Sequence, residues 1–381
     1  MRLTLLLWVI SLPLTAQTVR GSVTSADGEP LPNATVYFDG TTVGDYTGEE
    51  GEFELTSPTP DRESVLVVSY VGYQTATLLV QDRSTPYAIV LEPNATELPA
   101  LEVKDANLRA RTLAEFRAIF LGVDNWGKNA RIRNEDVLRF DRDRLERTVR
   151  VPSASFRRRL LESPRQDMVW VEDSSRITYT ENTSLFLTRP ASLRIELPDL
   201  GYVLHAELLD FRFDSKAGTT AYLGRFFFQP EEGTDGKPRN RHRRNRERAY
   251  YGSPLHFVRS LTGERLAENG FSILRRTETE SSERVDPYDL SAHLHCNEEG
   301  DCSLRGIEDQ AFTVLYYHDS QGRPLPVARR KSALTKQSVM MLIGEEALLR
   351  TDGSQGDSHL RFGGWMAQRG VAWMLPTDWE D

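Results

Sequence analysis

Residues 18 to 93 alternate apolar and polar side chains in short runs, and each run is closed by residues that turn the chain. A period of two puts one face of a strand indoors, and runs this short cannot be helices that bury a stripe. Val19, Gly21 and Val23 share one face. Val36 with Phe38, Phe53 with Leu55, Leu66 with Val68 and Tyr70, Leu78 with Val80, and Ile89 with Leu91 repeat the pattern. Asp27-Gly28 with Pro30, Asp39-Gly40, residues 48–51, residues 58–61 and Gly72 supply the turns. About seven short strands in ~75 residues predict an antiparallel β-sandwich.

Within that pattern stand Val19-x-Gly21-x-Val23, Gly28-x-Pro30-Leu31-x-x-Ala34-x-Val36, Gly51-x-Phe53 and Val68-x-Tyr70-x-Gly72-Tyr73. On these residues the stretch resembles the carboxypeptidase-regulatory-like domain, which implies a transthyretin-like sandwich. The resemblance covers about a fifth of the chain and implies no catalysis. In related proteins the module stands beside peptidase domains or ahead of outer-membrane receptor barrels. A barrel of about 22 strands is not expected in the length that remains here.

The chain opens with Met1-Arg2, an apolar run from Leu3 to Leu14, and the small residues Thr15-Ala16. One positive charge, a short apolar core and a small-residue stop predict an export signal over residues 1–16, cut before Gln17. The run is too short to cross ~30 Å of hydrocarbon. No Cys follows it to accept a lipid, so the mature chain is expected to be exported to the periplasm or outer membrane without a lipid anchor. No later stretch reaches the ~18 apolar residues of a membrane span.

The 381 residues call for at least two domains. The formal net charge is −9, and it becomes −10 once Arg2 leaves with the signal. That balance argues against nucleic acid as a partner. A polar connector, residues 94–107, leads into a second domain, 108–381. There Thr112-Leu113-Ala114-Glu115 has capping-box spacing, and Leu113, Phe116, Ile119 and Phe120 form a helical stripe that Gly122 ends. Val137 to Asp141 and Leu145 to Val151 read as a hairpin across residues 142–144. Strands are expected over 200–213, 222–228, 312–317 and 338–342. Ser253 and Pro254 suit an N-cap and first helical position, with Leu255, Val258 and Leu261 on one face and His256, Arg259 and Ser260 off it. The expected class is mainly β: a seven-stranded transthyretin-like sandwich followed by a larger β-rich α+β domain.

A second resemblance spans most of residues 18–381. It rests on Lys128-Asn129-Ala130-x-Ile132-x-Asn134-x-x-Val137-Leu138, Leu200-Gly201-Tyr202, Asn245-Arg246-x-x-Ala249-Tyr250-Tyr251-Gly252-Ser253-x-x-His256-Phe257-x-Arg259-Ser260-Leu261, and Gly364-Trp365 with Leu375-Pro376-x-Asp378-Trp379. These resemble exported Bacteroidota-type carboxypeptidase-like regulatory domain-containing proteins. The resemblance implies architecture and compartment, and that group carries no assigned reaction.

Five constellations could carry chemistry. His293-x-His295-Cys296 with Cys302 has the ligand types of a zinc site, and the same two Cys facing each other across a hairpin turn would form a disulfide in an oxidising compartment. Metal, disulfide and free thiols all remain open, with the disulfide the simplest. His295-x-x-Glu298 has the first-ligand spacing of zinc carboxypeptidases but falls in a turn. The run over residues 239–248 is a solvated face or an anion site, with Arg241, Arg243, Arg244, Arg246 and Arg259 as candidates, because Arg forks pair with phosphate and carboxylate. Tyr250, Ser253, His256 and Arg259 could line one patch, yet Ser253 is better used as a cap and no third group completes a nucleophile. Trp365, Trp373 and Trp379 could stack on sugars, but their apolar neighbours favour packing.

No cofactor is implied. The leading reading is an exported non-catalytic binding or structural protein of the cell envelope that docks an envelope protein or glycan through the sandwich. The alternatives are an exported hydrolase, zinc-dependent in one form, and an envelope anion-binding protein using the arginine run.

Overall fold

The structure, a computed structural model, describes residues 18–57, 64–81, 84–94, 106–150, 153–155, 158, 168–173, 176–216, 218–231, 239–279, 282–308, 310–326, 329–330, 333–356 and 359–380. The expected export signal, the turn at 58–61 and most of the expected connector lie outside the described residues. The chain divides into two compact units, Met1–Glu97 and Leu98–Asp381.

The first unit holds seven strands: β1 (Thr18–Ser25), β2 (Thr35–Phe38), β3 (Gly44–Tyr46), β4 (Glu52–Thr56), β5 (Ser64–Ser69), β6 (Ala76–Val80) and β7 (Tyr87–Leu91). They form two sheets, β4-β1-β7 and β3-β2-β5-β6. The alternation read from the sequence is the burial pattern: Val19, Val23, Val36, Phe38, Phe53, Leu55, Leu66, Val68, Val80, Ile89 and Leu91 make one core between the sheets. The pairing of β1 with β7 is parallel, so the sandwich is not wholly antiparallel. Gly21 sits opposite Phe53 in β1, and a Cβ there would lie 2.3 Å from the Tyr87 carbonyl and 2.7 Å from the Phe53 ring. A glycine inside a strand marks such a close approach.

The second unit is α+β. Its first sheet contains β8 (Arg131–Ile132), β9 (Phe140–Arg150), β10 (Met168–Asp173), β11 (Arg176–Leu187), β12 (Ala191–Leu197), β13 (Tyr202–Asp214) and β14 (Thr219–Pro230). The long β13–β14 hairpin matches the two strands expected over 200–213 and 222–228. The hairpin expected across residues 142–144 is corrected. β9 is one continuous strand that pairs antiparallel with β11 from Phe140↔Leu187 to Arg150↔Arg176. Arg142-Asp143-Arg144 has no Gly, Pro or Asn to reverse the chain, and its charges suit a half-exposed strand.

Helix α1 (Ala106–Phe120) packs on this sheet through Phe116 and Phe120, whose rings contact Phe211, with Phe140 and Tyr222 beside them. The stripe was legible, but the capping box was not a start: Thr112 lies mid-helix, so its hydroxyl meets no free helix-end N–H. Helix α2 (Asn125–Asn129) follows, capped by Asp124.

Helices α3 (Asn240–Tyr250) and α4 (Pro254–Thr262) lead into the rest of the unit. There β15 (Phe271–Thr279), β16 (Ser282–Pro287), β19 (Ala311–His318), β20 (Leu334–Leu342) and β22 (Leu360–Gly364) form a five-stranded sheet in the order β16-β15-β19-β20-β22. A small sheet, β17 (Leu294–Cys296), β18 (Asp301–Arg305) and β21 (Glu346–Arg350), completes it. Phe257, Val258 and Leu261 of α4 share a core with Phe271, Phe312, Met340 and Leu349. The C-terminal segment, beginning with helix α5 (Trp365–Gln368), enters both cores of the unit: Met366 joins that of α4, and Val371, Trp373 and Trp379 join that of the first sheet.

Candidate functional site

Helix α3 carries the arginine run, and its 3.6-residue period sorts the run into faces. His242, Arg246 and Ala249 point inward, while Arg241, Arg244 and Arg248 are exposed at i, i+3 and i+7. Arg243 is exposed on the opposite side. Arg246 donates from Nε to the Leu200 carbonyl at 2.9 Å and from an Nη to the Gly201 carbonyl at 3.1 Å, and its guanidinium lies 3.9 Å from the Tyr202 ring centre. Burial holds its pKa below the ordinary arginine range and pushes the Tyr202 hydroxyl up to about 12. Arg241 donates to the Pro198 carbonyl. Arg259 on α4 donates to the carbonyls of Asp352, Thr377 and Trp379. Arg246 and Arg259 therefore clamp distant loops, and Arg241, Arg243 and Arg244 reach the surface.

The Tyr250 to Arg259 patch is an aromatic knot. Ser253 caps α4 by accepting from the His256 N–H at 3.1 Å, and Pro254 takes the first helical position. His256, expected off the buried face, is buried among Tyr250, Tyr251, Phe271 and Tyr316. An aromatic shell on several sides replaces the single stripe assumed from spacing. Its Nδ1 accepts from the Gly252 N–H at 3.0 Å. Burial, aided by Arg259, pulls its pKa down to about 3, so the ring is neutral at physiological pH. The Ser253 hydroxyl is spent on the cap, and His256 is spent on the turn.

Cys296 and Cys302 face each other across the β17–β18 hairpin and are joined by a disulfide, S–S 2.05 Å. His293 and His295 do not share a strand face. His293 ends a short 3-10 turn, with Nε2 2.7 Å from the Tyr288 hydroxyl and Nδ1 3.1 Å from the Arg305 carbonyl oxygen. His295 is exposed on β17. Glu298 is exposed in the turn after it. Among the described residues no group of three His, Cys, Asp or Glu side chains is placed to hold a metal ion.

The C-terminal segment holds a ladder that the sequence reading missed. Lys336 Nζ of β20 lies 3.9 Å from the centre of the Trp365 ring, and the Arg369 guanidinium lies 3.7 Å from the same centre. Two cations that close over one indole must occupy opposite faces. Arg369 also lies 4.1 Å from the Trp373 ring, which stacks on Trp126 at 3.6 Å. Arg248 flanks Trp373 and Trp126 at 5.4 and 5.6 Å. Arg369 donates to the Ala249 carbonyl at 3.0 Å. Trp373 Nε1 donates to Asp124 Oδ2 at 2.7 Å, and Asp124 Oδ1 accepts from the Gly127 N–H of α2 at 2.9 Å. Burial, then Arg369 and Arg248, bring the Lys336 amine down to about 8. Trp365 and Trp373 thus give their faces to the protein's own groups, and the Trp379 ring lies 4.7 Å from Tyr250. The spacing of Trp365, Arg369 and Trp373, four residues apart each time, was the available signal. Nothing local in sequence ties Lys336, Arg248 or Trp126 to it.

Residues 19–103 match the family described as the CarboxypepD_reg-like domain. Over 57 residues the chain is 42% identical to the TonB-dependent receptor SusC of Bacteroides thetaiotaomicron, in line with the Bacteroidota-type resemblance. That stretch is 15% of this chain and 5% of the receptor, so the chain spans a small fraction of that relative's length. Among solved structures, BcpA, the major pilin subunit of Bacillus cereus, aligns over 87% of this chain and 94% of its own at 8% identity. The TM-score is 0.15.

Proposed function

We propose that this chain is an exported, non-catalytic protein of the cell envelope that binds an envelope protein or glycan, with residues 18–93 as the docking module. The observation that carries the reading is the sandwich itself. It has a closed core of its own, residues 19–103 match the CarboxypepD_reg-like domain, and a stretch of 57 residues is 42% identical to a TonB-dependent receptor, SusC. At its surface Val71 is 94% exposed in the turn between β5 and β6, a β-branched apolar residue offered to solvent. Elsewhere Ser253, His256, Arg246 and Arg259 are engaged in holding the fold, which supports a binding role over turnover. No helix among the described residues is long and apolar enough to cross a membrane.

The reading requires cleavage after Ala16 and no cofactor. N-terminal sequencing of the protein recovered from its own envelope fraction is expected to begin at Gln17. The mature chain is expected to retain one envelope component in a pull-down, and Val71→Asp to weaken that capture with the melting temperature unchanged. Turnover of a peptide, ester or glycan by the purified protein, abolished by one point substitution, would overturn the proposal.

A further inference from the structure

The first sheet of the second unit has two faces, and one of them is spent on the core beneath α1. Leu193, Ile195, Ala206, Leu208 and Phe228 belong to that core. Side chains alternate along a strand, so Arg194 and Glu196 of β12, His205 and Glu207 of β13, and Arg225, Phe227 and Gln229 of β14 project from the other face. The register sets this face in rows across the three strands: Ser192, Glu207 and Arg225 in one, Arg194, His205 and Phe227 in the next, Glu196, Val203 and Gln229 in the third. Neighbours within a row have Cβ atoms ~5 Å apart.

One atom of this array lacks what burial demands. Glu207 Oε2 is buried and, among the described residues, has no hydrogen-bond partner. Arg225 stands directly across from Glu207 on β14, yet no ion pair or hydrogen bond joins them. The other carboxylate of the face, Glu196, is held by Arg133 through two bonds of 2.6 Å. In the rows beside Glu207, His205 Nε2 lies 3.0 Å from Gln229 Oε1, and the His205 ring lies 5.6 Å from that of Phe227. Burial lowers the His205 pKa, so this imidazole adds no charge at physiological pH. A buried carboxylate oxygen with no donor is costly, and the cost disappears when a donor arrives from outside.

We propose that Glu207 and Arg225, flanked by the His205–Gln229 pair, form a binding site for a neutral sugar through its hydroxyl groups. A hydroxyl both donates and accepts. One hydroxyl of a sugar ring donates to Glu207 Oε2, and its neighbour accepts from the Arg225 fork. The two side chains have opposite sign and adjacent places, which selects against charged ligands: an anion meets Glu207 and a cation meets Arg225. A few polar groups fixed in register beside flat rings are the lining that orients a small ligand. The site lies in the second unit and shares no residue with the arginine run or the sandwich. It goes beyond the docking role of the sandwich and does not depend on it.

The full mature chain is titrated calorimetrically with cellohexaose, laminarihexaose and chitohexaose, which are neutral, and with a galacturonate hexamer and hexalysine as charged counterparts. Saturation-transfer NMR extends the range to weak binding. Saturable binding of at least one neutral hexamer is expected, and added salt should change it little, because no net charge is exchanged. Glu207→Gln and Arg225→Gln should each weaken it about tenfold, the loss of one charge-assisted bond. Glu207→Leu should abolish it and, with no sugar present, raise the melting temperature of the second unit, because the unbonded buried carboxylate is gone. A lower melting temperature instead would make Glu207 a structural partner of its neighbours and sink the site. Val71→Asp on the sandwich should leave sugar binding unchanged, so this site and the docking module fail separately. No binding of any neutral hexamer, tighter binding of the galacturonate hexamer or hexalysine, or undiminished binding by folded Glu207→Leu overturns the proposal.

Discussion

Arg246 and His256 show how far a residue's role departs from its type. Arg246 belongs to a stretch that reads as surface, yet it is buried, bonded to two carbonyls and laid against Tyr202. Arg246→Ala strands those carbonyls and removes the ring contact. It is expected to lower stability by about 3 kcal/mol in urea unfolding, several times the effect of an exposed arginine. His256 titrates near 3 in the folded chain and near ~6.5 when unfolded. Its folded value is the lower one, so the unfolded chain takes up the proton first. The associated stability is fully present above ~6.5 and is lost as the pH falls toward 3. Between pH 7 and 4.5 the loss is about 3 kcal/mol. His205, His242 and His318 are shifted the same way by burial. His256→Asn, whose side-chain oxygen can still accept from Gly252, should flatten the pH dependence of urea unfolding relative to the parent protein.

The junction of α3 and α4 turns on two local features. Gly252 has φ +74°, and a Cβ there would lie 2.6 Å from the Tyr316 ring, so Gly252→Ala meets both strain and a wall. Ser253→Ala removes the cap and should cost about 1 kcal/mol, and Gly252→Ala should cost more; thermal melts of the two variants give the order. The cap was legible, because it acts over a few residues. The capping box at Thr112 misled for the complementary reason: the motif is local, but whether a helix begins there depends on the residues before it, which α1 recruits from Ala106. In the β17–β18 hairpin, the bond between Cys296 and Cys302 closes a loop of seven residues. Replacing both by Ser should reduce stability by about 2 kcal/mol, read by denaturant unfolding.

Two compact units with separate cores imply two cooperative transitions. Calorimetry of the mature chain is expected to show two resolved peaks, of which Arg246→Ala moves the one belonging to the second unit alone. A single transition that shifts as a whole would count against independent units. In the second unit, α3, α4 and the segment from Trp365 onward stitch its sheets: Arg259 reaches Thr377 and Trp379, and Arg369 reaches Ala249. Truncation before Trp365 is therefore expected to remove the folded second unit, as followed by loss of near-ultraviolet circular dichroism.

The strands of the sandwich, the stripe of α1 and the start of α4 could be read from residue order, because periodicity, caps and turn chemistry are properties of neighbouring residues. The inward aim of Arg246, the aromatic shell around His256 and the ladder from Lys336 to Trp126 could not. Asp124 and Trp373, which meet in one hydrogen bond, stand 249 positions apart. Such meetings are set by which sheet faces pack against which, and a cation's environment, hence its role, exists once that packing is made.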